Sequence, residues 1–360
     1  MGKKEMIKDI LERLHKGEST DKILSEYRDV LKDLTPPQIA RIEQELISEG
    51  MDPDKVRKFC SVHLAIFRES IDRAEVKLPP WHPINILLKE HKYITDLVRN
   101  LRPEVVGNLK ATESHYLREE NVLFPYLEKH GIVQPPKIMW AEHDEIRKVE
   151  KDLRDKFTEE LKTRLNDLLL NHFYKENNIL FPTGLDVIPD DEWLSIRTEF
   201  DEIGYFAFTP EGPPEKEKVE TKIATRMINL PTGSLTEKEL EAFLNALPVD
   251  ITFVDSKDEV RYFSESKDRI FVRTRAVIGR KVQQCHPQKS VHIVNRILDD
   301  FRSKRREVAE FWLNLKGRLI YIRYFPVYSP DGEYLGCLEV TQDITDIKKI
   351  EGEKRLLDPL

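Results

Sequence analysis

The sequence predicts a multidomain protein of the α and α+β classes, with helical domains first and an antiparallel sheet with helices last. Its 360 residues suit two or three domains at roughly 100–200 residues each. Apolar residues recur at helical spacing before residue 205, whereas β-rich runs and a hairpin turn, SPDG, follow residue 250. This change of periodicity indicates that the fold class changes along the chain.

Stretches rich in proline or charge divide the chain into five predicted segments. KLPPWHP interrupts the helical pattern near residue 80, and TPEGPPEKEKVETK interrupts it again after residue 208. We therefore expect a domain of short helices, a four-helix up-down bundle, a linker, a sheet domain and a helical tail. Their predicted ranges are 1–76, 80–205, 206–235, 236–348 and 349–360.

Proline and capping residues set the limits of the predicted bundle helices. The first two cover Pro83–Leu101 and Pro103–Phe124, the third follows Pro135–Pro136, and the fourth ends near Pro182. Pro125 is expected to kink or end the second helix, because its ring excludes a regular helical hydrogen bond. No Gly or Pro separates the third and fourth helices, so we place their turn near Lys156–Thr158, with Thr158 as an N-cap.

Composition excludes several classes of protein. The net charge is −7 with both signs spread along the chain, which argues against a nucleic-acid partner. No uncharged apolar run reaches the roughly 18 residues of a membrane span, and the N-terminus is too charged for a secretory signal. Cys60, Cys285 and Cys337 are too few and too scattered for a disulfide framework. We expect a cytoplasmic protein.

An internal repeat carries the strongest functional signal. HYLREENVLFP begins at His115, and HFYKENNILFP begins at His172, with His, Glu, Asn, Leu, Phe and Pro at matching offsets. Positions i and i+4 share one face of a helix, so each His can point to the same place as its Glu, Glu119 or Glu176. One such pair is common on protein surfaces, but two copies in the same context indicate a shared site.

The predicted turns bring four histidines to one height in the bundle. His91 and His115 lie 12 residues either side of Pro103, and His143 and His172 lie about equally far from the predicted turn. Four imidazoles and two carboxylates are costly to bury without a metal ion. They suit two first-row metal ions, bridged by the glutamates and each capped by two histidines. The alternative is a bundle with exposed His and Glu side chains and no metal.

At these residues the chain resembles the hemerythrin-like HHE family, four-helix bundles with a non-haem di-iron site. The resemblance implies six ligands: His91, His115, Glu119, His143, His172 and Glu176. It also implies iron, which zinc or another divalent metal can replace in recombinant protein. Oxygen-carrying members have a further histidine where this chain has Arg147. This departure favours the relatives that handle iron, nitric oxide, peroxide or oxygen as sensors or repair factors.

Five other positions are weaker ligand candidates, three of them before or at the start of the bundle. His82 is an additional metal candidate, although capping of the first bundle helix is the preferred interpretation. Cys60 and His63 share a helical face in a segment that resembles a helical domain of unknown function, one commonly found before hemerythrin-like and PAS domains. A metal site is one interpretation of that pair, and a small buried cysteine beside a capped histidine is the preferred one.

Residues 236–348 resemble a PAS domain, through LPVDITFVDSKDEVRYFS, the middle helix and the closing strands that end in YLGCLEVTQDIT. The resemblance implies a five-stranded antiparallel sheet around a small ligand or a protein contact. Within it, Cys285 and His286 precede a helix. A turn in which Pro287 starts that helix is the preferred interpretation, and a haem ligand is the alternative.

These features together predict a sensor of oxygen, nitric oxide, redox state or iron, with no enzymatic activity expected. The PAS module would relay the signal by forming a homodimer or by binding a second ligand, and the output would be an unknown partner protein or the oligomer itself. A first alternative is a di-iron protein that delivers iron for repair or reduces nitric oxide or peroxide. A second alternative is an adaptor that the metal only stabilises.

Overall fold

A computed structural model describes residues 3–19, 78–212, 227–266 and 269–353, together with short pieces between 22 and 51. The chain forms two compact units, Met1–Glu215 and Lys216–Leu360, and each is considered by itself below. The fold class is confirmed, because a helical region and bundle precede an antiparallel five-stranded sheet with helices. None of the described helices has the length and apolar character that crossing a membrane requires.

The first unit begins with helix α1, Lys3–His15, which buries Met6, Ile7 and Ile10 on one face. The bundle follows. Its helical segments are α2 (Pro83–Arg99), α3 (Glu113–Arg118), α4 (Phe124–Lys129), α5 (Gln134–Asp155), α6 (Glu159–Lys175) and α7 (Phe181–Val187). Apolar side chains from all four bundle helices form one core cluster, which includes Ile94, Tyr116, Val149 and Leu165.

The second bundle helix differs from the prediction at both ends. It opens as a 3₁₀-helix, Pro103–Thr112, before α3 begins. Pro125 does not end it, because a π-helical turn, Glu119–Leu123, separates α3 from α4. In this turn the N–H of Phe124 donates to the carbonyl of Glu119, five residues back, and Pro125 enters α4 at a first-turn position, where no N–H is needed.

The fourth bundle helix repeats this arrangement. A π-helical turn, Glu176–Leu180, joins α6 to α7, with the N–H of Phe181 donating to the carbonyl of Glu176. The helix therefore passes Pro182, where the sequence pattern predicted its end, and reaches Val187. Between α5 and α6 the chain turns at residues 156–158, and the Thr158 hydroxyl caps α6 by accepting from the N–H of Leu161 at 3.2 Å.

The bundle is followed by helix α8, Trp193–Ile203, and by an extended segment, residues 204–212, which we call the strap. Gly204 ends α8 with a φ of 85°, a backbone conformation that favours glycine. The Arg197 guanidinium fixes the strap, because it donates to the hydroxyl of Tyr205 at 2.9 Å and to the carbonyl of Glu211 at 2.6 Å. Phe208 stacks on Tyr93 of α2, with ring centroids 5.6 Å apart.

The second unit contains a five-stranded antiparallel sheet and two longer helices. The strands and helices are β1 (Met227–Leu230), β2 (Gly233–Thr236), α9 (Glu237–Asn245), β3 (Asp250–Asp255), β4 (Val260–Phe263), α10 (Gln288–Arg302), β5 (Ala309–Leu315), β6 (Arg318–Tyr328) and β7 (Tyr334–Asp343). The sheet order is β4-β3-β7-β6-β5. Ile297, Leu298 and Phe301 of α10 pack on Ala309 and Cys337 of the sheet.

Two local predictions for this unit are wrong. A hairpin, β1 with β2, lies in residues that the sequence analysis assigned to the linker and the start of the next domain. The tail was expected to be helical, but it shows a 3₁₀ turn at Ile347–Lys349 and no helix over residues 350–353. Short four-residue strands and a charged tail carry too little periodicity for either feature to be seen in the sequence.

Gly336 is a position where the sheet requires glycine. Its φ is 152°, and a Cβ atom there would lie 2.1 Å from the carbonyl oxygen of Val254 on the neighbouring strand. We predict that Gly336→Ala lowers the free energy of unfolding of the second unit by about 2 kcal/mol or more, because the clash is with backbone. Gly233→Ala is the control, since its Cβ would meet nothing within 4 Å. Equal thermal unfolding profiles for the two variants would contradict this account.

Candidate metal centre

The six predicted ligands meet in the middle of the bundle, and all six are buried. Glu176 lies 3.1 Å from Nε2 of His91 and 2.9 Å from Nε2 of His172. Glu119 lies 3.6 Å from Nε2 of His115 and 3.3 Å from Nε2 of His143. Each imidazole thus directs its Nε2 atom at one of two central carboxylates.

These side chains form two overlapping donor sets that share both glutamates. One set is His91, His115, Glu119 and Glu176, and the other is Glu119, His143, His172 and Glu176. Within each set the donor atoms lie within 4.8 Å of one another. This arrangement matches the geometry predicted for a dinuclear site, in which two carboxylates bridge and two histidines cap each ion.

The outer nitrogen of every imidazole has a partner on an adjacent bundle helix. Nδ1 of His115 lies 2.8 Å from Glu90, and the corresponding distance is 2.9 Å from His143 to Glu120, from His172 to Glu142 and from His91 to the Asn177 side-chain oxygen. A carboxylate can only accept, so Nδ1 carries the proton. In its neutral form each ring therefore presents a bare Nε2 to the centre, which is the tautomer that a metal ligand needs.

The outer partners follow an internal two-fold pattern. The residue before a ligand histidine, Glu90 or Glu142, orients the histidine on the next helix in sequence. Glu120, directly after Glu119, orients His143 on the third bundle helix. Asn177, directly after Glu176, orients His91 on the first bundle helix. Each bundle helix thus supplies ligands to the centre and one group that orients a ligand elsewhere.

Three cations hold the outer carboxylates in place. Arg118 bonds to both oxygens of Glu90, and Lys175, at the matching position of the repeat, bonds to Glu142. Arg147 makes two bonds to Glu120, at 2.6 and 3.0 Å. Arg147 therefore occupies the position of the extra histidine in oxygen carriers, and here it holds an orienting carboxylate.

The inner atoms of this cluster fit a metal ion. Both oxygens of Glu119, both oxygens of Glu176 and Nε2 of His91 and His115 are buried without a hydrogen-bond partner in the described part of the chain. Nε2 of His143 lies only 2.9 Å from Nε2 of His172, although both atoms are acceptors in the neutral rings. The two nitrogens therefore need positive charge between them, which a proton on His172 or a metal ion can supply, and carboxylate with imidazole is a donor set that suits iron or zinc.

The pKa values of the inner groups reflect this shortage of positive charge. Burial and the negative charge of Glu176 raise the pKa of Glu119 well above its usual value. Burial lowers the pKa of His115 to about 4, against the opposing effect of Glu90, so the ring is neutral near pH 7. Burial also opposes charge on His172, but Glu176 and Glu142 outweigh it and raise the pKa of His172 to about 9.

The other predicted ligand residues lie elsewhere or outside the described residues. His82 caps α2, since its Nδ1 accepts from the N–H of Ile84 at 3.2 Å, and its ring packs on Trp193. Cys285 and His286 belong to neither donor set, and Nδ1 of His286 is bonded to the carbonyl of Val282 at 2.8 Å. Cys60 and His63 fall outside the described residues.

Sequence reasoning missed the orienting groups, although signals for them were present. The Glu-His dipeptides at 90–91 and 142–143 are one signal, because each places a glutamate directly before a predicted ligand histidine. The Arg or Lys just before each repeated glutamate is a second signal, because it occupies matching positions, 118 and 175. Glu120 and Asn177 lie at matching positions of the repeat but are different residue types, so a search for repeated residues would not pair them.

Comparison with known proteins places three families on the chain. A hemerythrin HHE cation binding domain matches residues 82–183, which contain all six clustered side chains. Residues 82–183 are therefore similar to hemerythrin HHE cation-binding domains. A family of unknown function, DUF438, matches residues 7–73, and a PAS domain matches residues 240–345. The three resemblances drawn from the sequence are confirmed.

Solved structures are similar to about a third of this chain. The C-terminal domain of a protein from Streptococcus mutans is 30% identical, with 35% of this chain and 98% of that chain covered and a TM-score of 0.34. The PAS domain of a Colwellia psychrerythraea protein is 17% identical over 30% of this chain and 97% of that chain, with a TM-score of 0.25. No curated protein matches the chain.

Removal of the bridging carboxylates should remove the metal. We predict that Glu119→Ala or Glu176→Ala loses at least one of two bound ions, and that the double variant loses both, because each carboxylate belongs to both donor sets. Elemental analysis after anaerobic loading with ferrous iron measures this. His292→Ala, on an exposed position of α10, is the control and should keep full metal content. Wild-type protein with less than one ion per chain would contradict the prediction, and so would a fully loaded double variant.

Proposed function

We propose that the HHE domain binds two iron ions and that the protein senses oxygen, nitric oxide, redox state or iron through them. The observation that carries this proposal is the convergence of four buried histidines on two buried carboxylates whose oxygens have no hydrogen-bond partner among the described residues, since a metal ion would supply the positive charge that this group lacks. When bound, iron would supply redox chemistry and open coordination positions for a small ligand. Zinc is expected to replace iron in aerobic recombinant protein.

The residues around the site support a sensor that keeps its metal. Each histidine is oriented by a second group, and three of those groups are held by Arg or Lys, so the donor atoms are fixed before metal binds. With two histidines per ion and Arg147 turned to Glu120, coordination positions remain for an exogenous ligand. A fixed site with open positions suits ligand detection better than iron release.

A direct chain of contacts leads from the site to the strap. His115 is bonded to Glu90, Glu90 to Arg118, and Arg118 to the carbonyl oxygen of Gly204, where the strap begins. The rings of Phe200 and Tyr205 enclose the Arg118 guanidinium. A change in the charge or position of an ion bound at His115 would therefore alter the hydrogen bonding of the strap, which precedes the second unit in the chain.

We further propose that the PAS unit relays the signal as a homodimer. Its edge strand β5 exposes 66% of Trp312, and helix α9 exposes 56% of Phe243 while burying none of its residues. Among the described residues, an apolar edge strand and an exposed amphipathic helix on the same unit suit a second copy of the chain, in which each copy offers both surfaces.

The strap should respond to the oxidation state of the metal. We predict that hydrogen exchange in residues 204–212 differs about tenfold between ferrous-loaded and oxidised wild-type protein, and that Arg118→Lys abolishes the difference. The lysine keeps a cation on Glu90 but lacks the second arm that reaches Gly204. Lys175→Gln is the matched control, because Lys175 occupies the position that matches Arg118 but bonds to Glu142 instead of to the strap. Equal exchange in both oxidation states of the wild type would contradict the relay.

Self-association should depend on the two apolar surfaces. We predict that the full-length protein sediments as a dimer and that Trp312→Glu or Phe243→Glu shifts it to a monomer, since each buries a charge in the proposed interface. Tyr93→Glu on the bundle is the control and should leave the dimer intact. A monomeric wild type at high concentration would rule out the homodimer.

A further inference from the structure

Three polar side chains form a buried group next to the metal centre: Thr112, Tyr116 and Glu150. The Tyr116 hydroxyl donates to Oε1 of Glu150 at 3.2 Å, and Thr112 lies at the same distance from that oxygen. The Thr112 hydroxyl proton goes to the carbonyl of Leu109 at 2.7 Å, which leaves Tyr116 as the main donor to the carboxylate. Nη1 of Arg154 lies 3.9 Å from Oε2 of Glu150, beyond hydrogen-bond distance.

The internal repeat shows that this group is not needed to build the bundle. The positions that match Thr112 and Tyr116 in the fourth helix are Leu169 and Phe173. The position seven residues after the ligand histidine is Glu150 in the third helix, and its counterpart in the first helix is Val98. Leu169, Phe173 and Val98 are buried in one apolar core cluster. The same framework is therefore polar in one half and apolar in the other.

Burial of the polar group is costly. A carboxylate that is buried with mainly neutral partners is disfavoured, and burial raises the pKa of Glu150 to about 7. The apolar counterpart fills the equivalent space without this cost, so packing gives no reason for the polar set. A buried carboxylate with a raised pKa, bonded to a phenol beside the candidate metal centre, points instead to a chemical role.

Tyr116 lies between the two halves of the centre. Its ring centroid is 4.8 Å from that of His143 and 5.6 Å from that of His115, which belong to different donor sets. The ring is completely buried, so an oxidised form would be shielded from solvent and from external reductants. In the other half, Phe173 stacks on His91 with ring centroids 4.0 Å apart, but it has no hydroxyl to deprotonate.

We propose that Tyr116 is a one-electron donor to the metal centre and that Glu150 accepts its phenolic proton. This rests on the proposed metal site, with a peroxide as the oxidant that withdraws electrons from the metal ions. In the step, the O–H bond of Tyr116 breaks, one electron passes to the oxidised centre and an O–H bond forms on Glu150. The products are a neutral tyrosyl radical, a protonated Glu150 and a centre reduced by one electron.

The test is electron paramagnetic resonance of the full-length protein. Protein loaded anaerobically with ferrous iron is mixed with hydrogen peroxide and frozen, and iron content and iron oxidation are measured on the same sample. We expect an organic radical signal that narrows when the protein is made with ring-deuterated tyrosine. Tyr116→Phe should lose the signal while keeping its iron, because the other half of the bundle shows that Phe fits this framework.

Glu150→Gln tests the proton acceptor. The amide keeps a hydrogen-bond acceptor for Tyr116 but cannot take its proton, so we expect the radical yield to fall about tenfold or more. Phe173→Tyr is the matched gain-of-hydroxyl control. Its hydroxyl would face the counterpart of Glu150, which is Val98, so in a Tyr116→Phe background it should not restore the signal.

Each outcome decides between the proposals. Protein that binds and oxidises iron without a tyrosyl signal overturns the electron-donor role and leaves the metal site standing. An unchanged signal in Tyr116→Phe also overturns it. Protein that binds less than one iron per chain overturns the metal site and this proposal together. An unchanged radical yield in Glu150→Gln overturns the role of Glu150 as the proton acceptor.

Discussion

The bundle depends on one electrostatic constraint, which is that four buried imidazoles and two buried carboxylates direct acceptor atoms at the same small volume. Each Nδ1 is committed to an outer oxygen, so each neutral ring can offer only a lone pair inward. Without positive charge, the lone pairs of His143 and His172 and the oxygens of Glu119 and Glu176 would repel one another. The arrangement therefore needs positive charge at its centre, and its two donor sets could each hold one metal ion.

The local backbone serves that constraint through the repeated Glu-x-x-x-Leu-Phe-Pro pattern. Each proline has no N–H, so its helix lacks one backbone hydrogen bond at that residue. In both copies a π-helical turn that begins at a candidate ligand glutamate accommodates the missing bond. The Asn121 and Asn178 side chains donate to the carbonyls of Leu117 and Tyr174 beside the two turns. The proline thus places the glutamate on a widened turn, and this explains why the two residues recur together in both copies.

The sequence could predict the ligands, the reversal at residues 156–158 and the sheet strands, because each depends on a spacing or a propensity. Strand β3, for example, begins and ends where its apolar run does, at Asp250 and Asp255. The π-helical turns could not be predicted, since Pro125 and Pro182 also fit a simple helix end. The partners Glu120 and Asn177 depend on which helices are neighbours, and that information is three-dimensional. The β1–β2 hairpin was missed because four-residue strands carry almost no periodicity.

The functional argument finally depends on where the two halves of the bundle differ. The six residues that could hold metal are distributed over both halves, so they bear on binding and on nothing more specific. Two of the differences between the halves bear on signalling: Arg118 bonds to the strap, whereas Lys175 bonds to Glu142, and Tyr116 with Glu150 replaces Phe173 with Val98. Both differences touch His115, through Glu90 in one case and through direct ring contact in the other. His115 is therefore the ligand at which electron transfer and strap movement can be linked, because a change at this one ring reaches both.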